Sequence, residues 1–154
     1  MKKELRRQDG ALATAEALEL LDRGEYGVLS TVSADGSPYG VPVHYCVSEG
    51  SVYFHSAVAG HKLENIEADQ RVSFCVVGAT EVMPDKFATR YESAIVSGKA
   101  EEVFGAEKQR ALEGLLAKYS SSFMPSGLRY IEAESEVTRV FRFAVSEISG
   151  KARR

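Results

Sequence analysis

The hydrophobic pattern of the chain changes period several times, and each change predicts a new element. From Thr14 to Gly24 the apolar residues recur three to four apart, which predicts a helix with Thr14 as N-cap, Gly24 just past its end and a buried stripe through Leu18 and Leu21. Tyr26 to Val32 is apolar and rich in β-branched residues, and Ala34-Asp35-Gly36-Ser37 has turn chemistry. Tyr39 to Val47 alternates Val41, Val43 and Tyr45 with Pro42 and His44, so a hairpin is expected. Pro42 has no backbone N–H, and in a strand it requires an edge, a bulge or a gap in pairing.

After a turn at Glu49-Gly50, Ser51 to Ser56 reads as a third strand, and Gly60-His61-Lys62 opens a short helix anchored by Leu63 and Ile66. Arg71 to Val77 and Ala88 to Val103 read as strands, the second with Tyr91, Ser93, Ile95 and Ser97 on one face and Ala94, Val96 and Gly98 on the other. Gly105 to Tyr119 carries Leu112, Leu115, Leu116 and Tyr119 at helical spacing, although Gly114 within it costs about 1 kcal/mol against Ala. Val137 to Ile148 returns to strand character. Gly78 to Phe87 and Ser120 to Glu136 show no clear period and are expected to be loops. Their Met83, Pro84, Phe123, Met124 and Pro125 are available to line a pocket, with ordinary loop packing as the plainer role.

About six strands joined by consecutive antiparallel hairpins, with one long helix between two of them, do not suit a parallel βαβ sheet. The expected fold is mainly β (α+β), a six-stranded antiparallel barrel with short flanking helices. A barrel of this size has no room for a ligand inside, which sends any cofactor to its outside or to a subunit contact. The 154 residues fit one domain, 1–154, with residues 1–13 as a polar N-terminal segment.

Composition narrows the classes. Nineteen basic against 22 acidic residues leave a formal net charge of −3, which disfavours a nucleic-acid surface. No apolar run reaches about 18 residues and the N-terminus does not read as a secretory signal, so no membrane association and a cytoplasmic location are expected. Cys46 and Cys75 lie in strand-like runs far apart and read as buried thiols.

The stretch Tyr53-Phe-His-Ser-Ala-Val-Ala-Gly-His-Lys-Leu-Glu-Asn-Ile66 carries the clearest chemistry. A strand ends, small residues turn, and a helix opens with two basic side chains. Free N–H groups and the positive end of the helix dipole favour a phosphate there, Gly60 lets backbone approach, and His61 and Lys62 add hydrogen bonds and charge. The plainer alternative is a turn followed by two solvated side chains. No GxxxxGK[ST] loop occurs and Gly98 and Gly105 are isolated, so nucleotide triphosphate hydrolysis and a dinucleotide fingerprint are not expected. His44, His55 and His61 form no i, i+4 pair and no carboxylate joins them in a recognisable pattern, so no metal site is expected.

Four segments in order resemble the FMN-binding split-barrel proteins, within them the pyridoxamine 5′-phosphate oxidase-like and 5-nitroimidazole-resistance-like subgroup. They are Gly36-Ser-Pro-Tyr-Gly-Val-Pro-Val-His-Tyr45, Val52-Tyr-Phe-His-Ser-Ala-Val-Ala-Gly-His-Lys62, Arg71-Val-Ser-Phe-Cys-Val76 and Tyr91-Glu-Ser-Ala-Ile-Val-Ser-Gly-Lys-Ala100. Glu147-Ile-Ser-Gly-Lys151 fits the C-terminal strand end. The resemblance implies a homodimer with FMN in grooves between subunits. It assigns flavin and ribityl contacts to Val41, Val43, His44, Phe54, His55 and Ser56, and the phosphate to His61 and Lys62. Tyr91 and Ser93 would reach the flavin of the other subunit, with Lys151 a weaker candidate.

His61 stands where the oxidases of this family typically carry Arg, which makes phosphate affinity pH-sensitive if the imidazole must be charged. The oxidases also end in a longer segment bearing Trp and Arg, whereas this chain has no Trp. The expected activity is therefore FMN-dependent oxidoreduction of a small molecule, oxidase-like or nitroreductase-like, with NAD(P)H as a candidate donor. The alternative is a flavin-, F420- or haem-binding protein without turnover. No catalytic base is assigned, because the flavin carries the redox chemistry and His55 near it reads first as a positioner.

Overall fold

In the computed structural model, which describes residues 3–154, alternation of side chains accounts for the whole sheet. The chain runs α1 (Thr14–Arg23), β1 (Gly27–Val32), β2 (Pro38–Val43), β3 (Cys46–Ser48), β4 (Ser51–Ser56), α2 (His61–Ala68), β5 (Arg71–Met83), β6 (Ala88–Val103), α3 (Gly105–Tyr119), α4 (Met124–Glu134), β7 (Arg139–Ala144) and β8 (Glu147–Arg153). All strand pairs are antiparallel, in the order β2-β1-β5-β6-β7-β4-β3, and β8 also pairs with β6. The long β6 organises the sheet. One edge of it pairs with β5, and the other pairs with β8 at Tyr91–Ser97 and with β7 at Ala100–Val103.

The register sorts residues into two rows. Val41, Leu29, Phe74, Val96 and Ile148 lie side by side across five strands and face the core. The adjacent row, Pro42, Val28, Cys75, Ile95 and Ser149, faces outward. A second cluster lies on the opposite side of β4, where Tyr53, Cys46 and Val140 meet Ala111, Leu112 and Leu115 of α3 and Ile131 of α4. Tyr53 Oη donates to Glu107 Oε2 at 2.7 Å and Arg142 donates to the same oxygen at 2.6 Å, which fixes the start of α3 on the sheet. β4 is therefore covered on both faces, and four of its first four residues are buried.

Among the described residues, eight strands replace the expected six. The stretch Tyr39 to Val47 breaks at His44 and Tyr45 into β2 and β3, which are the two ends of the hydrogen-bonded path. The sheet is open there, and only the chain itself joins its ends, so the barrel is split at these two residues. Pro42 sits in the terminal strand β2, which satisfies its missing donor. The final strand likewise divides into β7 and β8, offset by one residue along β6, with Ser146 N–H bonded to the Ser97 carbonyl at the corner.

Both expected loops are ordered elements. Gly78 to Met83 continues β5, and with Ala88 to Tyr91 it forms a hairpin arm whose tip residue Phe87 is 97% exposed. Ser120 to Glu136 contains α4, opened by Pro125, a residue suited to the first turn of a helix. In α1 the N-cap is Ala13 rather than Thr14, and the buried side chains are Ala17, Leu20 and Leu21, with Leu18 41% exposed. α1 covers β8 and β6, so its apolar stripe is set by that contact one position away from the expected one.

Gly27 lies directly over the Phe74 ring, and a Cβ there would come within 2.1 Å of it. Gly27→Ala is expected to destabilise by about 1–3 kcal/mol through overpacking, and Phe74→Ala by about 3–5 kcal/mol through a cavity. Because each change relieves the other, urea denaturation of the double variant should show a loss smaller than the sum by about 1 kcal/mol or more. Strict additivity would overturn this account of the core.

Candidate cofactor site

The site starts at the N-terminus of α2. Leu63 and Ile66 bury one face of this helix, and the buried Asn65 side chain donates to Thr31 Oγ1 of β1 at 2.9 Å. These contacts aim the first turn toward the β1–β2 turn. Gly60 precedes it at φ 154° and ψ 169°, a region open essentially to glycine alone, and no atom lies within 4 Å of where a Cβ would stand. The first N–H groups of the helix have no intrahelical acceptor and present partial positive charge at this open point.

His61 turns from the helix start toward β1 and β2. Its Nε2 shares a hydrogen bond of 3.1 Å with Ser33 Oγ, and its ring lies 4.0 Å from that of Tyr39. Lys62 is half-buried, and its charge acts on His55 at the end of β4. Partial burial holds the His55 pKa below its ordinary 6.5, with the nearby His44 and Lys62 adding repulsion. His55 shares the Tyr53 face of β4 by alternation, which carries it toward α3 and α4.

His44 occupies the split between β2 and β3, where its ring stacks on Tyr119 at 4.2 Å between centroids and 19° between planes. His44, His55 and Ser56 together line a cavity of about 420 Å³ between the end of β4, α3 and α4. Its other walls include Leu115, Leu116 and Ile131. The lining contains no Lys or Arg. Among the described residues, no group of three or more His, Cys, Asp or Glu converges as a metal site, and no helix is long and apolar enough to cross a membrane.

The structure thus gathers His44, His55 and Ser56 at one cavity, with Lys62 near enough for its charge to act on His55 and His61 adjacent to it on the same helix turn. Val41, Val43 and Phe54 do not present side chains there. Phe54 and Val43 are buried in the core cluster and Val41 packs against it, leaving only backbone for a ligand. Tyr91 and Ser93 are not brought to the cavity within this chain. They pair with Arg153 and Lys151 of β8, and Tyr91 borders a separate hollow with Arg7 and Lys151. Sequence reasoning missed Tyr119 as part of the site, assigning it only to a helix stripe. It also missed α4, although Pro125 and the spacing of Leu128 and Ile131 were signals for a helix.

An antiparallel split barrel with a basic helix start at its open side and a cavity beside it defines the class. The chain belongs to the pyridoxamine 5′-phosphate oxidase family, whose model matches residues 13–152. No curated protein matches it in sequence. Its fold is similar to that of a candidate 5-nitroimidazole antibiotic resistance protein from Bacteroides thetaiotaomicron, with TM-score 0.75 and 20% identity over 92% of this chain and 86% of that one. An FAD-binding protein from Mesorhizobium loti aligns with TM-score 0.68 and 25% identity, covering 94% and 97% of the two chains. An FAD- and haem-binding protein from Mycobacterium smegmatis reaches TM-score 0.79 at 19% identity, covering 92% and 72%.

A depressed His55 pKa means that the unfolded chain takes up this proton first. His55 therefore contributes stability that is complete above pH 6.5 and declines as the pH falls from there toward the folded pKa. NMR titration should place its midpoint below 6.5, and Lys62→Met should move that midpoint upward by removing a positive neighbour. A midpoint insensitive to Lys62 would separate the two residues.

Proposed function

We propose that this protein binds FMN between two copies of the chain and uses it to reduce or oxidise a small organic molecule. The carrying observation is the juxtaposition of a glycine-opened helix start bearing Lys62 with a cavity lined by His44, His55 and Ser56. Family membership and the FAD-binding neighbour support a flavin. The residues fit FMN in two parts: the α2 N-terminus with Lys62 and His61 suits the phosphate, and the imidazoles and backbone of β2 and β4 suit a flat heteroaromatic ring. The flavin supplies the electron and hydride chemistry when bound, and the chain's share is orientation and exclusion of water. NAD(P)H is the candidate donor.

The cavity also speaks to the substrate. A phosphorylated or carboxylated molecule would find no Lys or Arg on its walls and one carboxylate, Glu134, whereas leucines and tyrosine rings suit an aromatic compound without negative charge. The family's pyridoxamine phosphate substrate is therefore a poorer match than an oxidised ring without a phosphate.

The homodimer has its own support. The outward row Pro42, Val28, Cys75, Ile95 and Ser149 is flanked on β2, β1, β5 and β6 by Gly40, Ser30, Ser73 and Ser97, which gives a surface of small and apolar residues bordered on β8 by Glu147 and Lys151. Pairing two such faces would bring Tyr91, Ser93 and Lys151 of one copy toward the other.

A second reading, a haem-binding protein, draws on the imidazoles of His44 and His55, a residue type that ligates haem iron, both on the wall of this cavity. A neighbour of similar fold that binds both FAD and haem fits either ligand.

The purified protein should be yellow and release FMN on denaturation, and Lys62→Ala should weaken FMN binding about tenfold or more by removing a charge-assisted contact. A Soret band instead would favour the haem reading. Ile95→Arg should convert a dimer to a monomer by light scattering and lower FMN affinity in parallel. A monomeric wild-type protein that binds FMN equally well would sink the interface site.

A further inference from the structure

Two residues leave the sheet between β2 and β3, and their backbone groups must find partners elsewhere. Tyr45 N–H donates to Tyr119 Oη at 3.1 Å, and the same hydroxyl lies 2.6 Å from the Glu25 carbonyl and 3.1 Å from the Tyr45 carbonyl. A phenol has one proton, and the shorter contact to Glu25 takes it, leaving a lone pair for the Tyr45 amide. One hydroxyl therefore ties together the α1–β1 connection, the β2–β3 break and the end of α3. The ring of Tyr119 stacks on His44 at the same time.

Tyr45 is itself held on every side. It is fully buried, its hydroxyl donates to the Leu21 carbonyl, and its ring meets Phe74 edge-on at 4.8 Å. The Lys118 ammonium stands 3.7 Å over the Tyr45 ring and has no hydrogen-bond partner among the described residues. The last two residues of α3 thus grip the break in two ways, Lys118 by cation–π attraction and Tyr119 by hydrogen bonds and stacking.

We propose that Tyr119 is a positioning residue: its hydroxyl replaces the missing strand partner of Tyr45, and its ring fixes His44 as one wall of the cofactor cavity. The consequence for FMN rests on the flavin reading, while the staple itself needs no ligand. The hydroxyl is consumed by backbone groups and is not offered to a substrate. Its ring face, in contrast, sets the plane of His44 in the cavity.

The test compares Tyr119→Phe and Tyr119→Leu with the wild-type chain by amide exchange, NMR of the His44 ring and titration with FMN. Tyr119→Phe keeps the ring, so His44 resonances should stay in place while the Tyr45 amide exchanges about tenfold faster or more relative to that of Val52 in β4. Tyr119→Leu should also move the His44 ring protons downfield, as the shielding face is lost, and weaken FMN binding about tenfold. Retained protection at Val52 verifies that either variant is folded. Unchanged exchange at Tyr45 in the Phe variant, or unmoved His44 signals in the Leu variant, would overturn the proposal. So would a wild-type protein that binds FMN and a Leu variant that binds it as tightly. If the wild-type chain does not bind FMN at all, the exchange and His44 measurements still decide the staple, and only the flavin reading fails.

Discussion

Backbone hydrogen bonding at His44 and Tyr45 is the constraint on which the rest of this fold turns. A sheet that curls on itself must either pair its last strand with its first or leave polar backbone without partners. Here the chain runs from one end of the path to the other across two residues, and the end of α3 supplies the partners instead. The helix layer is thus part of the closure of the barrel. Tyr53 and Arg142 on Glu107 at its start and Tyr119 at its end hold α3 against the sheet on either side of the split.

A split has chemical value because it exposes backbone and side chains that a closed barrel would hide. The core row of Leu29, Phe74 and Val96 fills the interior, so a ligand of flavin size has no place inside. At the split, the chain after β2 and the end of β4 bring the imidazoles of His44 and His55 to one cavity, and the charge of Lys62 at the start of α2 reaches His55. The electrostatics follow from this crowding. His55 sits between a partly desolvating wall and the positive charge of Lys62, so its neutral form is favoured in the folded chain. A neutral imidazole can both donate and accept a hydrogen bond, which suits a heteroaromatic ring better than a second cation would.

The legible part of the sequence was the part governed by local rules. Alternation in Ala88 to Val103 separated the two faces of β6, and the Gly60-His61-Lys62 helix start followed from capping physics. What was not legible depended on partners distant in the chain. Tyr39 to Val47 has continuous strand character, and nothing local says that Tyr119 will interrupt it from 74 residues away. Phe54 and Val43 looked like ligand contacts by resemblance, but their alternation places them with the core, so only their backbone can serve. Tyr91 and Ser93 belong to the outward row system of β6, and a role for them needs a second copy of the chain.

The helix α4 shows why the substrate side was the hardest to read. Gly127 allows α4 to approach α3 so closely that a Cβ would meet the Leu116 side chain at 2.1 Å. Glycine and the preceding serines look like loop chemistry in sequence, yet in the fold that glycine is what lets two helices share a wall. The wall is apolar because it is made of helix-packing residues, Leu112, Leu115 and Ile131, that serve the second core cluster and the cavity together. A basic residue at any of these positions would have to be buried in the contact that holds α3 and α4 on β4, which keeps lysine and arginine off this wall. The basic helix start of α2 and this largely apolar wall lie on different elements, so either can change without disturbing the other.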